Sequence, residues 1–233
     1  EMEANEDLAV PVRSFQEMER ARQAGKIACL LTVEEGGVCL GSLPLLRTLY
    51  RLGVRMLTLT WNYPNELGRP NGQPGGLTRR GFQFLEEMEN LGMIPDVSHL
   101  SDDGVWDVCR AARKPFVASH SSCRALHPHR RNLTDDMFRA IRDSGGVAGL
   151  NYYQHFVGDD PTMEGLVRHV EHFLELDGER SLCLGGDMDG CELLAGGMRG
   201  LEDVPLLWQA LADRGYPQSL LEDIFWNNWR RIL

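Results

Sequence analysis

Short apolar runs alternate with amphipathic stretches along the whole chain. The runs are KIACLLTVE (26–34), VRMLTLTW (54–61), MIPDVS (93–98), PFVAS (115–119), GVAGLNYY (146–153) and SLCLGGD (181–187). Most are short and continuously apolar, as strands covered by helices on both faces should be. The stretches between them predict helices. Ser14 precedes FQEMERARQAG, which stops at Gly25, and Ser42 precedes LPLLRTLYRLG, with Leu45, Leu46, Leu49 and Leu52 on one face and Gly53 at its end. Thr78, Ser101 and Thr134 open RRGFQFLEEMENLG, DDGVWDVCRAAR and DDMFRAIRDSG. Capping residues, early acidic charge and a late glycine or basic residue mark these boundaries. Further helices are predicted near 163–176, 202–214 and 218–230.

Strand alternating with helix implies parallel strands joined by right-handed crossovers. An open doubly wound sheet and a closed barrel both satisfy that pattern. The dinucleotide-binding glycine fingerprint is missing, because GGVCLG and PNGQPGG do not follow a strand and open a helix in the required register. The expected fold is therefore α/β, a (β/α)8 TIM barrel of the metal-dependent hydrolase type, with about six of the eight strands present. The chain begins at Glu1 rather than Met. It is expected to be one domain over 1–233 that lacks the first one or two β/α units.

Composition narrows the function classes. A hydrophobic content of 42% with 25% charged residues is that of an ordinary globular protein. The net charge of −10, with basic residues scattered, argues against nucleic acid as a partner. The six cysteines form no C-x-x-C pair, and several lie in apolar runs, which predicts reduced buried thiols and a cytoplasmic location. No run reaches the ~20 apolar residues of a membrane span, and the acidic opening EMEANEDLAV is not a secretory leader.

In parallel β/α folds the chemistry gathers at the carboxyl ends of the strands. Glu35, His99, His120 and Asp187 stand at four such ends. Two imidazoles with one or two carboxylates form a metal-ligand set that could activate water at neutral pH. The remaining histidines lack that setting. His127 and His129 fall in a polar turn, His169 and His172 on a helix, and His155 just past a strand, where its role stays open. Ser121, Ser122 and Cys123 near His120 are weaker nucleophile candidates, because no G-x-S-x-G elbow accompanies them. PNGQPGG (70–76) reads as a mobile active-site loop. Of Arg130 and Arg131, one could fork a substrate carboxylate, a task that suits guanidinium better than ammonium.

These residues resemble those of the membrane (renal) dipeptidase family, peptidase family M19. The resemblance runs through VEEGG (33–37), LYRLGVRMLTLTWN (49–62), GGLTRRGFQFLEEMENLGMIPDVSHLS (75–101), SHSS (119–122), RRN (130–132), GGDMDG (185–190) and GLEDVPLL (200–207). It implies a zinc dipeptidase that cleaves dipeptides with a metal-activated hydroxide. It implies two Zn2+ ions per intact site, with Glu35 bridging them and His99 and His120 completing the second. Arg131 and Tyr153 would bind substrate, and Asp187 would act beside the scissile bond, with Asp189 as its alternative. Two features depart from the family. No His-x-Asp pair for the first zinc occurs in the chain, and Trp61–Asn62 stands where many members carry a histidine. Asn62 is expected to donate to substrate in its place. A homodimer is a candidate assembly. Another barrel amidohydrolase, acting on a lactone, phosphoester or nucleobase, and an inactive truncated remnant are the alternative readings.

Overall fold

The computed structural model describes residues 2–159 and 161–233. The chain divides into two compact units, one running to Lys114 and taking in Leu233, the other spanning Pro115–Ile232.

In the first unit the order is β1 (Ala9–Val12), α1 (Phe15–Gln23), β2 (Ile27–Leu30), β3 (Thr32–Glu34), α2 (Leu43–Leu52), β4 (Met56–Thr58), α3 (Arg79–Leu91), β5 (Ile94–Asp96) and α4 (Asp102–Ala111). β1 pairs with β2, and β3, β4 and β5 pair in that order, all parallel. The predicted run 26–34 is thus one extended stretch that changes neighbours at Leu31, whose carbonyl accepts from Arg55 N at 2.9 Å. β1 was not predicted. Its four residues, AVPV, are too few for a period to register, and Pro11 argues against a strand with two neighbours. β1 lies at the end of its sheet, where a missing N–H is tolerated. The expected six strands therefore become seven strand segments, plus the bridged stretch at Ala118 described next.

In the second unit Ala118 of the PFVAS run bridges Ala148 in parallel. The elements are α5 (Asp135–Asp143), β6 (Ala148–Asn151), α6 (Gln154–Val157), α7 (Met163–Glu175), β7 (Leu182–Gly186), α8 (Val204–Asp213), α9 (Gln218–Glu222) and α10 (Asn228–Arg230). β6 and β7 pair in parallel. The single helix predicted over 218–230 is broken by a π turn, Asp223–Asn227, within which Asn227 Nδ2 donates to Asp223 Oδ1 at 2.8 Å.

Most predicted starts hold. The hydroxyls of Ser14, Thr78, Ser101 and Thr134 each accept from a backbone N–H of the first turn, contacts that contribute about 1 kcal/mol apiece. Ser42 makes no such bond; Pro44, whose φ already suits a helix, opens α2 there.

Each unit has its own core. Leu46, Leu57, Leu59, Leu67, Phe84 and Met88 are fully buried in the first. In the second, Phe138 of α5 and Phe173 of α7 bring their rings to 4.4 Å, a contact that adds about 1 kcal/mol beyond the area it buries. Gly149 of β6 lies so close to the Ser119 carbonyl that a Cβ there would overlap it. Glycine is required at this position, and the close approach fixes the backbone just before His120.

Candidate active site

In the first unit, Glu34 ends β3, and His99 lies three residues past β5. His99 is 7% exposed. Its Nε2 lies 2.9 Å from Glu34 Oε1, and its Nδ1 lies 3.1 Å from Asn62 Oδ1. When Nδ1–H donates to Asn62, the Nε2 lone pair faces a carboxylate oxygen. Two acceptors at that distance repel unless a proton or a cation lies between them. Asn62, expected to meet substrate, lies against the His99 ring nitrogen opposite the one that faces Glu34, a position in which its oxygen can fix the tautomer of the ring.

The turn that presents His99 is braced from below. Asp96, fully buried, accepts from Thr58 Oγ1 at 2.6 Å and from Ser98 N at 3.0 Å. Asn71 donates both its backbone N–H (2.7 Å) and its Nδ2 (3.2 Å) to the His99 carbonyl. The segment 70–76, expected as a mobile loop, is tied at its other end as well. Gly75 N donates to Asp103 Oδ2 at 2.9 Å, and Ser101 Oγ donates to Gly75 O at 2.7 Å. It serves as a brace for the His99 turn.

Glu35 takes a different position from Glu34. Its carboxylate accepts from Gly37 N (2.6 Å), Trp61 N (3.0 Å) and Asn65 Nδ2 (2.6 Å), joining the turn after β3 to the segment after β4. Trp61, next to Asn62, is half-exposed, and its ring centroid is 6.2 Å from that of His99.

In the second unit, His120 is also 7% exposed, with its Nδ1 2.7 Å from Ser119 Oγ. Arg131 is turned inward: its Nη2 donates to His120 O at 3.5 Å, and its guanidinium lies over the Phe156 ring at 5.4 Å. Arg130 is exposed. Asn151, the last residue of β6, is fully buried and serves as a hub. Its Nδ2 donates to Asp187 Oδ2 at 2.9 Å and to His120 O at 3.4 Å, and its Oδ1 accepts from Tyr153 N at 2.7 Å. Burial raises the Tyr153 pKa, and the acidic groups of Glu192, Cys191 and Asp187 push it further the same way. The second unit thus brings His120, Arg131, Tyr153 and Asp187 together around a residue that sequence reasoning missed. Asp189 is exposed.

Backbone strain marks the same positions. Among the described residues, five non-glycine residues have positive φ, and Glu35 (149°), His99 (69°) and Asp187 (64°) are three of them. Such conformations cost of order 1–3 kcal/mol each and persist where the surroundings impose them, commonly at functional sites.

The other candidates are placed less suggestively. Cys123 is buried, its thiol donates to His169 O at 3.4 Å, and burial pushes its pKa well up, which opposes nucleophilic use. All six cysteines are free thiols. His169 is held inside the core, and His172 pairs with Asp135 at 2.9 Å. His127 and His129 stack with ring centroids 6.2 Å apart, and His155 lies edge-on to Tyr153. No helix of the described residues is long and apolar enough to cross a membrane.

Parallel strands with histidines and carboxylates just past their carboxyl ends define the class of α/β, TIM-barrel-like metal-dependent hydrolases. The particular family follows from the whole chain: residues 2–233 match the membrane dipeptidase family, peptidase family M19, and the chain belongs to it. It is 36% identical over 236 residues to an uncharacterized protein in the pqqA 5′ region of Klebsiella pneumoniae, covering 94% of this chain and 86% of that one. It is 31% identical over 226 residues to dipeptidase verJ of Clonostachys rogersoniana, covering 95% of this chain but only 58% of that protein. A Rhodobacter sphaeroides metallopeptidase, solved with a phosphinate mimic of the dipeptide L-Ala-D-Ala, superposes with a TM-score of 0.92 at 28% identity, over 96% of this chain and 68% of its own. Family membership implies a metal.

Proposed function

We propose that this chain carries the chemistry of a zinc-dependent dipeptidase. The observation that carries the reading is the buried His99 Nε2 facing the Glu34 carboxylate at 2.9 Å, with Nδ1 already engaged by Asn62, in a chain of family M19. The phosphinate dipeptide mimic held by the Rhodobacter relative supports a dipeptide as substrate. The family match runs across both units, which supports treating 1–233 as one functional domain. The free thiols support a reducing, cytoplasmic setting.

Glu34 and His99 of the first unit are the donors we assign to the metal, Glu35 is the alternative carboxylate, and His120 is the further imidazole that the family resemblance implies. Nitrogen and carboxylate donors with outer-sphere hydrogen bonds suit zinc. The ion supplies Lewis-acid activation of water and of the amide carbonyl. The residues of the chain do the rest. Arg131 forks the free carboxylate of the dipeptide, which limits the substrate to very short peptides. Tyr153 lines the same site, and Asp187 moves a proton from the attacking water to the leaving amine.

The test is hydrolysis of Gly–Leu and Ala–Ala with added zinc, alongside metal analysis. Turnover in the wild type and its loss in His99→Ala are expected, with one zinc per chain, since the sequence has no His-x-Asp pair for a second. Parental turnover in His99→Ala overturns the zinc assignment.

A further inference from the structure

We propose that Asn151 is a positioning residue that fixes the Asp187 carboxylate for proton transfer, and that Gly190 provides the space for it. The inference rests on the dipeptidase reading above and extends it to a residue with no chemistry of its own.

Asn151 is fully buried, and its side chain makes three hydrogen bonds. The amide has two N–H donors. One goes to Asp187 Oδ2 at 2.9 Å and the other to His120 O at 3.4 Å, while the oxygen takes Tyr153 N at 2.7 Å. That pattern leaves one orientation of the amide, because the flipped one would set its oxygen against the carboxylate. Asp187 Oδ2 is thereby committed to Asn151, so Oδ1 is the oxygen left to exchange a proton. Oδ1 lies so close to Gly190 that a Cβ there would overlap it. Asp187 itself has a left-handed backbone, φ 64°, just after β7. A strained backbone and a buried donor on one oxygen hold the carboxylate in one place, and the bare glycine leaves room for the other. The same Asn151 side chain sets the start of the segment that carries Tyr153, so proton transfer and substrate binding share one anchor.

Asn151→Asp keeps the shape and the acceptor for Tyr153 N, but it replaces the donor to Asp187 with a carboxylate oxygen. Gly190→Ala leaves Asn151 untouched and displaces Oδ1 from an exposed position, where folding is least threatened. In dipeptide hydrolysis with zinc, each variant is expected to lower kcat by about 10²-fold, the scale for a misplaced catalytic group, with KM within about twofold of wild type. In an Asp187→Ala background, Asn151→Asp is expected to add no further loss, since its effect passes through Asp187. Thermal unfolding accompanies each assay. The swap Asn151→Asp with Asp187→Asn is expected to recover the Tm lost by Asn151→Asp alone, without recovering activity.

Near-wild-type kcat in Gly190→Ala and in folded Asn151→Asp overturns the inference while leaving the dipeptidase reading intact. So does an equal loss from Asn151→Asp in the Asp187→Ala background. A wild type that hydrolyses no dipeptide overturns the reading, and the inference falls with it.

Discussion

The turn at His99 and the face of α7 at His169 each bury a histidine, and they use it in opposite ways. His169, in the second unit, is 1% exposed and saturated. Its Nδ1 accepts from Cys123 N at 3.0 Å, and its Nε2–H donates to Val157 O at 2.9 Å. The ring is neutral, with both nitrogens committed to the backbone. His99, in the first unit, is almost as buried, but one nitrogen meets an amide oxygen and the other meets a carboxylate. A histidine becomes a ligand candidate through an acceptor facing its lone pair, which asks for a cation. Burial alone does not distinguish the two.

The largest expected effect tests the His99 side. Its removal should cost about 10³-fold or more in kcat/KM for Ala–Ala, the several kcal/mol that metal activation supplies. Thermal stability should fall much less, because the turn is held by Asn71 and Asp96 rather than by the ring. A variant that loses stability but keeps activity would make His99 a core residue like His169. The neighbouring carboxylates can be separated in the same way. Glu34→Gln should weaken zinc binding in a competition titration more than Glu35→Gln does. The reverse order returns the ligand role to Glu35, which the family resemblance favoured.

Much of this was legible in the sequence, and the reasons differ by residue. The runs and caps were readable because strand and helix periods and N-terminal hydroxyls are local signals. His169 was readable from its place on a predicted helix only as structural or solvated rather than as a ligand, and Arg131 stood out from Arg130 only through the resemblance. The sequence reading singled out Glu35, yet Glu34 is the carboxylate that meets His99, since neighbouring positions at a strand end point different ways and the turn decides between them. Asn151 was invisible for another reason. It sits in an apolar run, and two of its partners, His120 and Asp187, lie 31 and 36 residues away. A buried amide reads as an oddity until its partners are placed. The role of 70–76 was missed likewise, because glycine-rich composition does not reveal the bonds that tie Asn71 and Gly75 to distant residues.

A smaller effect tests the His169 side, through pH. Burial is the main cause that lowers its pKa from 6.5 to about 4. Between those values the unfolded chain binds a proton that the folded chain refuses, so stability rises with pH across the window. The contribution is fully present above ~6.5 and is lost as pH falls toward 4, by about 3 kcal/mol in all. Thermal unfolding from pH 4 to 7 should show this acid loss in the wild type and a flatter profile in His169→Gln. An unchanged slope in the variant would assign the acid sensitivity to other groups and remove the basis for calling His169 a neutral core residue.

The smallest effect concerns what orients each candidate ligand. Asn62 Oδ1 and Ser119 Oγ stand 3.1 Å and 2.7 Å from the Nδ1 atoms of His99 and His120. Outer partners of this kind fix the tautomer and the ring direction, and losing one costs about 10- to 100-fold in metal affinity. Asn62→Ala and Ser119→Ala should each weaken zinc binding on that scale, with little change in fold, because the rings stay enclosed by their own turns. Asn62→Asp sharpens the test: a carboxylate accepts more strongly from Nδ1–H and should restore or raise the affinity. If Asn62→Ala instead spares zinc affinity and raises KM for dipeptides, Asn62 is a substrate-binding residue. The resemblance between the two histidines then ends at their burial.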